Sequence, residues 1–280
     1  MVRIVTDSAA DFSPAELEQK NIICIPLKVL FGGEEYEENI NLSKDQFYEK
    51  LLAFEGFPKT SQAAPAVLAG LFEEAKAEGE EIIYFTLSSA LSGTWQSAMF
   101  IKEDMGYDKA FVVDSRNATG GQRMLVEHAV RLRDQGKCAA DIVAEVEALR
   151  ERIVLYACIN TLEYLYRGGR ISHLSYALGT LAQIKPIIHV DHAGRVDIPA
   201  KAMGMRKGME HLCKQADAKT PDPEYPLYVM YTNDRSVAET LAVRLAEHGQ
   251  AVHPDNIIQV GAAIGSHVGP AACGLVYVGK

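Results

Sequence analysis

Cysteine is scarce and scattered in this chain. Cys24, Cys138, Cys158, Cys213 and Cys273 are an odd number, widely separated, and nowhere form C-x-x-C. That excludes a disulfide scaffold and a cysteine zinc site, and leaves small buried hydrophobes in a reducing compartment. Long hydrophobic runs are missing too. No uncharged apolar stretch approaches the ~18 residues of a membrane span, and Asp7 interrupts the N-terminal run before a signal-peptide core forms, so a cytoplasmic location is expected. Positive charge is in deficit, with 28 Lys+Arg against 37 Asp+Glu and a formal charge of -9. A general nucleic-acid binder needs a basic face, so none is expected, and contact with an anionic membrane is at most transient. The common catalytic signatures are also absent: G-x-x-x-x-G-K-[ST], G-x-G-x-x-G after a strand, G-x-S-x-G and H-E-x-x-H.

What remains is an ordinary globular composition, 48% hydrophobic and 23% charged over 280 residues, enough for two modest domains. The first half alternates short apolar runs with helical patterns. Strands are expected over 3–6, 22–30, 82–86, 110–113 and 153–159, with helices over 64–78, 94–104, 121–135 and 139–152. Ser13-Pro14-Ala15-Glu16 and Ser43-Lys44-Asp45-Gln46 are capping boxes that start two more helices. Strands separated by helices imply βαβ units and a largely parallel sheet. The second half breaks that rhythm, with a hairpin turning at Asp191-His192-Ala193-Gly194, a long amphipathic helix over 206–218, and strands over 227–231, 256–260 and 274–278. The expected fold is therefore α/β, an N-terminal domain over 1–160 and a mixed α+β domain over 161–280.

Chemistry concentrates where strands give way to helices. The strand over 82–86 runs into Leu87-Ser88-Ser89-Ala90-Leu91-Ser92-Gly93-Thr94, and a helix follows at once. The crevice beyond the carboxyl ends of strands is the usual ligand site of open α/β sheets, and a helix N-terminus there offers free N–H groups to an anion. Ser92 and Thr94 can each donate to a bound oxygen, and Gly93 lets the backbone come close; N-capping explains the same residues equally well. Lys59-Thr60-Ser61-Gln62 makes a similar offer before the next helix, and Asp7-Ser8 and Asp114-Ser115 add two polar strand ends. His267 lies in Ile264-Gly265-Ser266-His267-Val268-Gly269-Pro270, read as a glycine-rich turn where a near-neutral imidazole can share a proton. Arg167-Gly168-Gly169-Arg170 suits carboxylate or phosphate recognition, or complements a helix C-terminus. The one tight histidine pair, His189 and His192, straddles the hairpin turn, where solvated polar residues belong, and no metal is expected.

These segments together resemble the DegV family of bacterial fatty-acid-binding proteins, which includes the acyl-carrying subunit of fatty acid kinase. The resemblance runs in order along the chain: IVTDSAADFS from Ile4, IPL at Ile25, KTSQ from Lys59, LSSALSGTWQSA from Leu87, VVDSRNATGG from Val112, LEYLYRGGRIS from Leu162, KPII from Lys185 and IGSHVGPAACGL from Ile264. It implies a two-domain fold with one acyl chain buried inside and no catalysis by the chain alone. It implies that Thr60 and Ser92 hold the ligand carboxylate, with Ser61, Gly93, Thr94 and His267 around them. Arg170 and Arg206 then lie near a phosphate delivered by a dihydroxyacetone-kinase-like partner serving phospholipid metabolism. Met203 and Met205 stand where the resemblance leads one to expect arginines, with Arg206 alongside. No cofactor is implied beyond the fatty acid itself, whose burial supplies affinity at ~0.8 kcal/mol per methylene while the hydroxyls supply orientation. Ile25, Leu27, Phe31 and Met99 are the expected wall residues, each equally suited to plain core.

Two other classes stay open on the residues. An enzyme acting on a small acyl or phosphorylated substrate would use Ser92 or His267, and requires a base within about 3 Å of a nucleophile. A ligand-gated interaction protein would change its affinity for a partner without any phosphoryl transfer.

Overall fold

The computed structural model describes residues 1–173, 175 and 183–280. The chain opens with β1 (Val2–Asp7), a 3-10 turn at Ser8–Ala10, α1 (Pro14–Lys20), β2 (Ile22–Ile25), β3 (Lys28–Phe31), β4 (Glu34–Glu37) and α2 (Lys44–Ala53). It continues through β5 (Lys59–Ser61), α3 (Pro65–Glu78), β6 (Glu81–Thr86), α4 (Thr94–Met105), β7 (Ala110–Asp114), α5 (Thr119–Asp134) and α6 (Ala139–Arg150). The remainder is β8 (Ile153–Cys158), α7 (Glu163–Arg167), β9 (Ile184–Val190), β10 (Val196–Met203), α8 (Gly204–Ala218), β11 (Tyr228–Tyr231), α9 (Arg235–Glu247), β12 (Ile257–Gln259), α10 (Ala262–Val268) and β13 (Cys273–Val278). Both capping boxes form as their spacing requires, Ser13 with Glu16 on α1 and Ser43 with Gln46 on α2.

Three sheets result. The first is parallel throughout, order β2-β1-β6-β7, as the βαβ alternation demands. The second has order β10-β9-β8-β13-β11-β12 and is antiparallel except where β11 meets β12. A small antiparallel sheet, β4-β3-β5, completes the set.

Four sequence expectations need correction. The strand over 22–30 is broken at Pro26, which has no N–H for a ladder, so β2 joins the parallel sheet while β3 turns away into the small one. The segment at Thr60 is the edge strand β5, paired to β3, rather than a helix-entry loop. His267 sits in the last turn of α10, not in a turn. Finally, β8 pairs with β13 and β9, so the second sheet begins before residue 160. Two helices in succession, α5 and α6, carry the chain across without an intervening strand. Consequently α5 is buried along nearly its whole length, and one core joins Ile4, Phe85 and Leu125 to Leu155, Tyr228 and Val276. A helix packed on both sides has no solvent face, which is why the two halves share this core.

Candidate functional site

Between the strand ends of the parallel sheet and the second sheet lies a cavity of about 290 Å³. Its inner wall is mostly apolar, with Leu155 and Ala157 from β8, Ile188 and Val190 from β9, and Met230 from β11, while Thr119, Tyr231 and Thr232 also line it. Its outer end is polar, with Thr60, Ser61, Gln62, Ser92, Arg170 and His267. Ser61, Gln62 and Gly93 are exposed and Thr60, Ser92 and Arg170 half-buried, so the polar end is also the mouth.

Each polar residue is placed by identifiable contacts. Asp7, fully buried at the end of β1, accepts from the Leu87 N–H at 2.7 Å through one oxygen and from Gln122 and the Ala9 N–H through the other. That anchors the loop after β6. Within this loop the four hydroxyls divide. Ser88 donates to the Gly194 carbonyl at 2.8 Å, docking the β9–β10 turn, and Ser89 is held by Asp114. Gly194 has φ +76, and a Cβ there would collide with the Ser88 hydroxyl, so the turn requires glycine. Ser92 remains for a ligand. Thr94 is buried behind it, 2.9 Å from the Ser92 hydroxyl, and does not line the cavity.

Thr60 Oγ1 lies 2.8 Å from His267 Nε2. The other ring nitrogen, Nδ1, is buried without a partner, pressed against Gly168, where a Cβ would collide with it. A buried N–H without an acceptor is rarer than a lone pair without a donor, which favours Nε2 carrying the proton and donating to Thr60. Thr60 then keeps its own proton for a ligand, and Ser92 does the same when Thr94 donates to it. Burial first, and the neighbouring Arg170 charge second, push the His267 pKa down to about 3, so the imidazole is neutral at pH 7.

Arg170 donates through Nε to the Leu91 carbonyl at 3.0 Å and through Nη1 to that of Gly168. Among the described residues no carboxylate lies within 4.0 Å of its guanidinium, and burial lowers its pKa. The mouth therefore carries one uncompensated positive charge and hydroxyl donors, a set that matches a single carboxylate. Arg167, the other arginine of the pair, faces out, pairing with Glu163 at 3.5 Å and lying over the Phe57 ring.

Not every expected residue meets here. Arg206 is exposed near the start of α8 and outside the cavity wall. Of the four expected wall residues only Leu27 lines the cavity; Ile25 is core beside the parallel sheet, Phe31 packs with Phe47, and Met99 is half-buried on α4. The cavity lies between two sheets, so most of its wall comes from the second half. Two lining residues carried no signal in the sequence: Thr119, a β-branched residue held at φ +47 at the start of α5, and Met230, which accepts its hydroxyl. His189 stacks on Tyr156 while His192 meets Glu151, and no cluster of metal ligands exists among the described residues. No helix among them is long and apolar enough to cross a membrane.

The chain is 34% identical over 284 residues to a DegV domain-containing protein of Clostridium perfringens, covering 99% of this chain and 97% of that one. Among solved structures it is similar to a fatty-acid-binding DegV family protein from Thermus thermophilus, with TM-score 0.89 and 29% identity over 100% and 99% of the two chains. It is also similar to DegV of Bacillus subtilis, a fatty acid binding protein, with TM-score 0.86 and 29% identity over 100% and 99%. The family model for DegV, described as an uncharacterised protein family, matches residues 1–280, and the chain belongs to the DegV family.

Proposed function

We propose that the protein binds a long-chain fatty acid, with its tail in the apolar cavity and its carboxylate held by Thr60 and Ser92 beside Arg170. The observation that carries this reading is a largely apolar cavity whose mouth groups the Thr60 and Ser92 hydroxyls around Arg170, a cation with no carboxylate within 4.0 Å among the described residues. Burying about fourteen methylenes at ~0.8 kcal/mol each contributes at most roughly 11 kcal/mol, far beyond the ~1 kcal/mol of one neutral hydrogen bond. The fatty-acid-binding relatives from Thermus thermophilus and Bacillus subtilis support the same ligand class. A carboxylate at the mouth is accessible to a second protein, so the chain presents it to a separate dihydroxyacetone-kinase-like subunit for acyl-phosphate formation, with Arg170 near the transferred phosphate and exposed Arg206 on the approach. In this reading two units, divided just before β8 instead of at residue 160, close on the ligand.

The Thr60–His267 pair also has nucleophile-to-base spacing, which favours a second reading, acyl-transfer chemistry at Thr60. Against it, His267 Nδ1 has no orienting carboxylate, and a base with pKa about 3 accepts protons poorly at neutral pH. Native mass spectrometry followed by solvent extraction separates the two. The expected result is an adduct of fatty-acid mass, lost in the Thr60→Ala, Ser92→Ala double variant. A clean apo mass after incubation with saturated and unsaturated fatty acids would exclude the binding reading, and turnover by the isolated chain would establish the enzymatic one.

A further inference from the structure

Beneath the cavity lies a set of buried acids that the proposed binding does not use. Asp11 and Glu38 are 2% and 1% exposed. Their carboxylates meet the first three backbone N–H groups leading into α10: Asp11 Oδ1 accepts from Gly261 at 2.9 Å, while Glu38 accepts from Ala262 and, at 3.3 Å, from Ala263. Both acids crowd one point, since a Cβ on Gly261 would collide with Glu38 Oε1 and stand 2.8 Å from Asp11 Oδ1. Asp11 Oδ2 is buried with no partner.

The surroundings offer little compensation. Lys44 of α2 spends its ammonium on the Asp11 and Gln259 carbonyls, at 2.8 and 2.9 Å. Arg123 of α5 pairs with Glu16 and Glu127 and reaches the Asp11 carbonyl at 3.4 Å. Tyr48 donates to the Val260 carbonyl, Ser8 donates to Glu38, and Asp7 of β1 adds a third buried carboxyl nearby. Cys24 also lies near the pair, and Tyr231 lies near Tyr48. Burial pushes Asp11 up to about 7, with Glu38 raised as well, while Lys44 and Arg123 pull Asp11 the other way.

Two faces of the structure meet at this pair. A polar surface cleft lined by Asp11, Glu16, Lys44 and Arg123 reaches it from outside and shares no lining residue with the cavity. On the other side, α10 supplies Ala263, Ile264 and His267 to the cavity wall. At 1.5 Å rise per residue, Ala262 stands roughly 7 to 8 Å along the helix from His267.

We propose that Asp11, crowded against Glu38 at the start of α10, acts as a positioning residue that weakens retention of the fatty acid carboxylate when its carboxyl ionises. The proposal rests on the fatty-acid-binding reading. A second negative charge at the far end of the helix that carries His267 repels a bound carboxylate through the intermediate dielectric of the protein and opposes its binding. It also draws the α10 N–H groups more tightly toward the pair, shifting the helix that bears His267.

The test titrates the delipidated protein with cis-parinaric acid, a fluorescent polyene fatty acid, at steps between pH 5.5 and 8.5. Wild type is expected to lose several-fold in affinity as pH rises through neutrality, and both Asp11→Asn and Glu38→Gln to flatten that loss. Thermal unfolding without ligand gives a second readout. A carboxyl whose pKa is raised on folding, from 3.8 to about 7 for Asp11, stabilises the fold at acid pH and loses that contribution as pH climbs toward 7, so Asp11→Asn should flatten the decline. Asp7, raised to about 6, leaves part of it. Parallel pH profiles of affinity in wild type and variants would overturn this inference alone. No binding at any pH would overturn it together with the fatty-acid reading.

Discussion

The mouth of the cavity and its inner wall are built on different principles. At the mouth Thr60 is held by His267, Ser92 by Thr94, and Arg170 by the Leu91 and Gly168 carbonyls. The wall has little such pairing beyond the Thr119 hydroxyl donating to Met230. Leu155, Ala157, Ile188, Val190 and Met230 are ordinary buried side chains that happen to border a void between two sheets. A hydrogen bond is directional and needs its partner within a few tenths of an ångström, whereas apolar burial scales with area and tolerates any wall of the right volume. In the fatty-acid-binding reading, the mouth sets which end of a ligand enters last, and the wall sets how tightly and how long a chain is held.

The largest expected effect comes from filling the wall. Ala157 lies on a central strand with its side chain on the cavity. Ala157→Phe places a ring where the acyl tail would lie, and should remove co-purifying lipid altogether, because most of the binding energy is burial of methylenes. Mass spectrometry of the extracted protein reads the loss, and a circular dichroism melt checks that the core tolerates the added volume. Lipid retained at wild-type level would place the ligand elsewhere.

A smaller effect is expected at the mouth. Arg170→Gln removes the charge and should weaken fatty acid binding about tenfold to a hundredfold, corresponding to the ~1.5–3 kcal/mol of a charge-assisted hydrogen bond. The fatty alcohol of the same length carries no charge and should lose far less. Equal losses for acid and alcohol would mean that Arg170 acts by holding Leu91 and Gly168 in place instead.

The same contrast explains what was legible in the sequence. Thr60, Ser92, Arg170 and His267 stand out as polar residues at strand ends and in glycine-rich segments, and the structure brings them to one mouth. Their supporting geometry was less visible, since the turn assigned to His267 is helical, and a seven-residue helix with no side-chain N-cap hydrogen bond lacks the periodicity that marks longer helices. The wall was nearly illegible. Ile25 and Phe31 have the same composition and patterning as Leu27, yet only Leu27 borders the void, because Pro26 redirects the chain between two sheets. Sheet membership of β8 was hidden for a related reason: antiparallel pairing with β13 depends on residues more than a hundred positions away.

Thr94 gives the finest test of the comparison, because it belongs to the mouth by hydrogen bonding and to the core by burial. Its hydroxyl sits 2.9 Å from that of Ser92, and its backbone N–H also reaches Ser92 Oγ at 3.3 Å. A serine hydroxyl has one proton, so Ser92 can give it to a ligand only if Thr94 donates to Ser92 and not the reverse. Thr94→Val keeps the shape and removes that donor. The expected loss is ~0.5–1 kcal/mol, or roughly twofold to fivefold in affinity, measured by titration with a fatty acid. In a Ser92→Ala background the same substitution should change affinity hardly at all, since the proton it orients is gone. An equal loss in both backgrounds would mean that Thr94 works through the packing of α4, and the mouth would then depend on the core in the same undirected way as the wall.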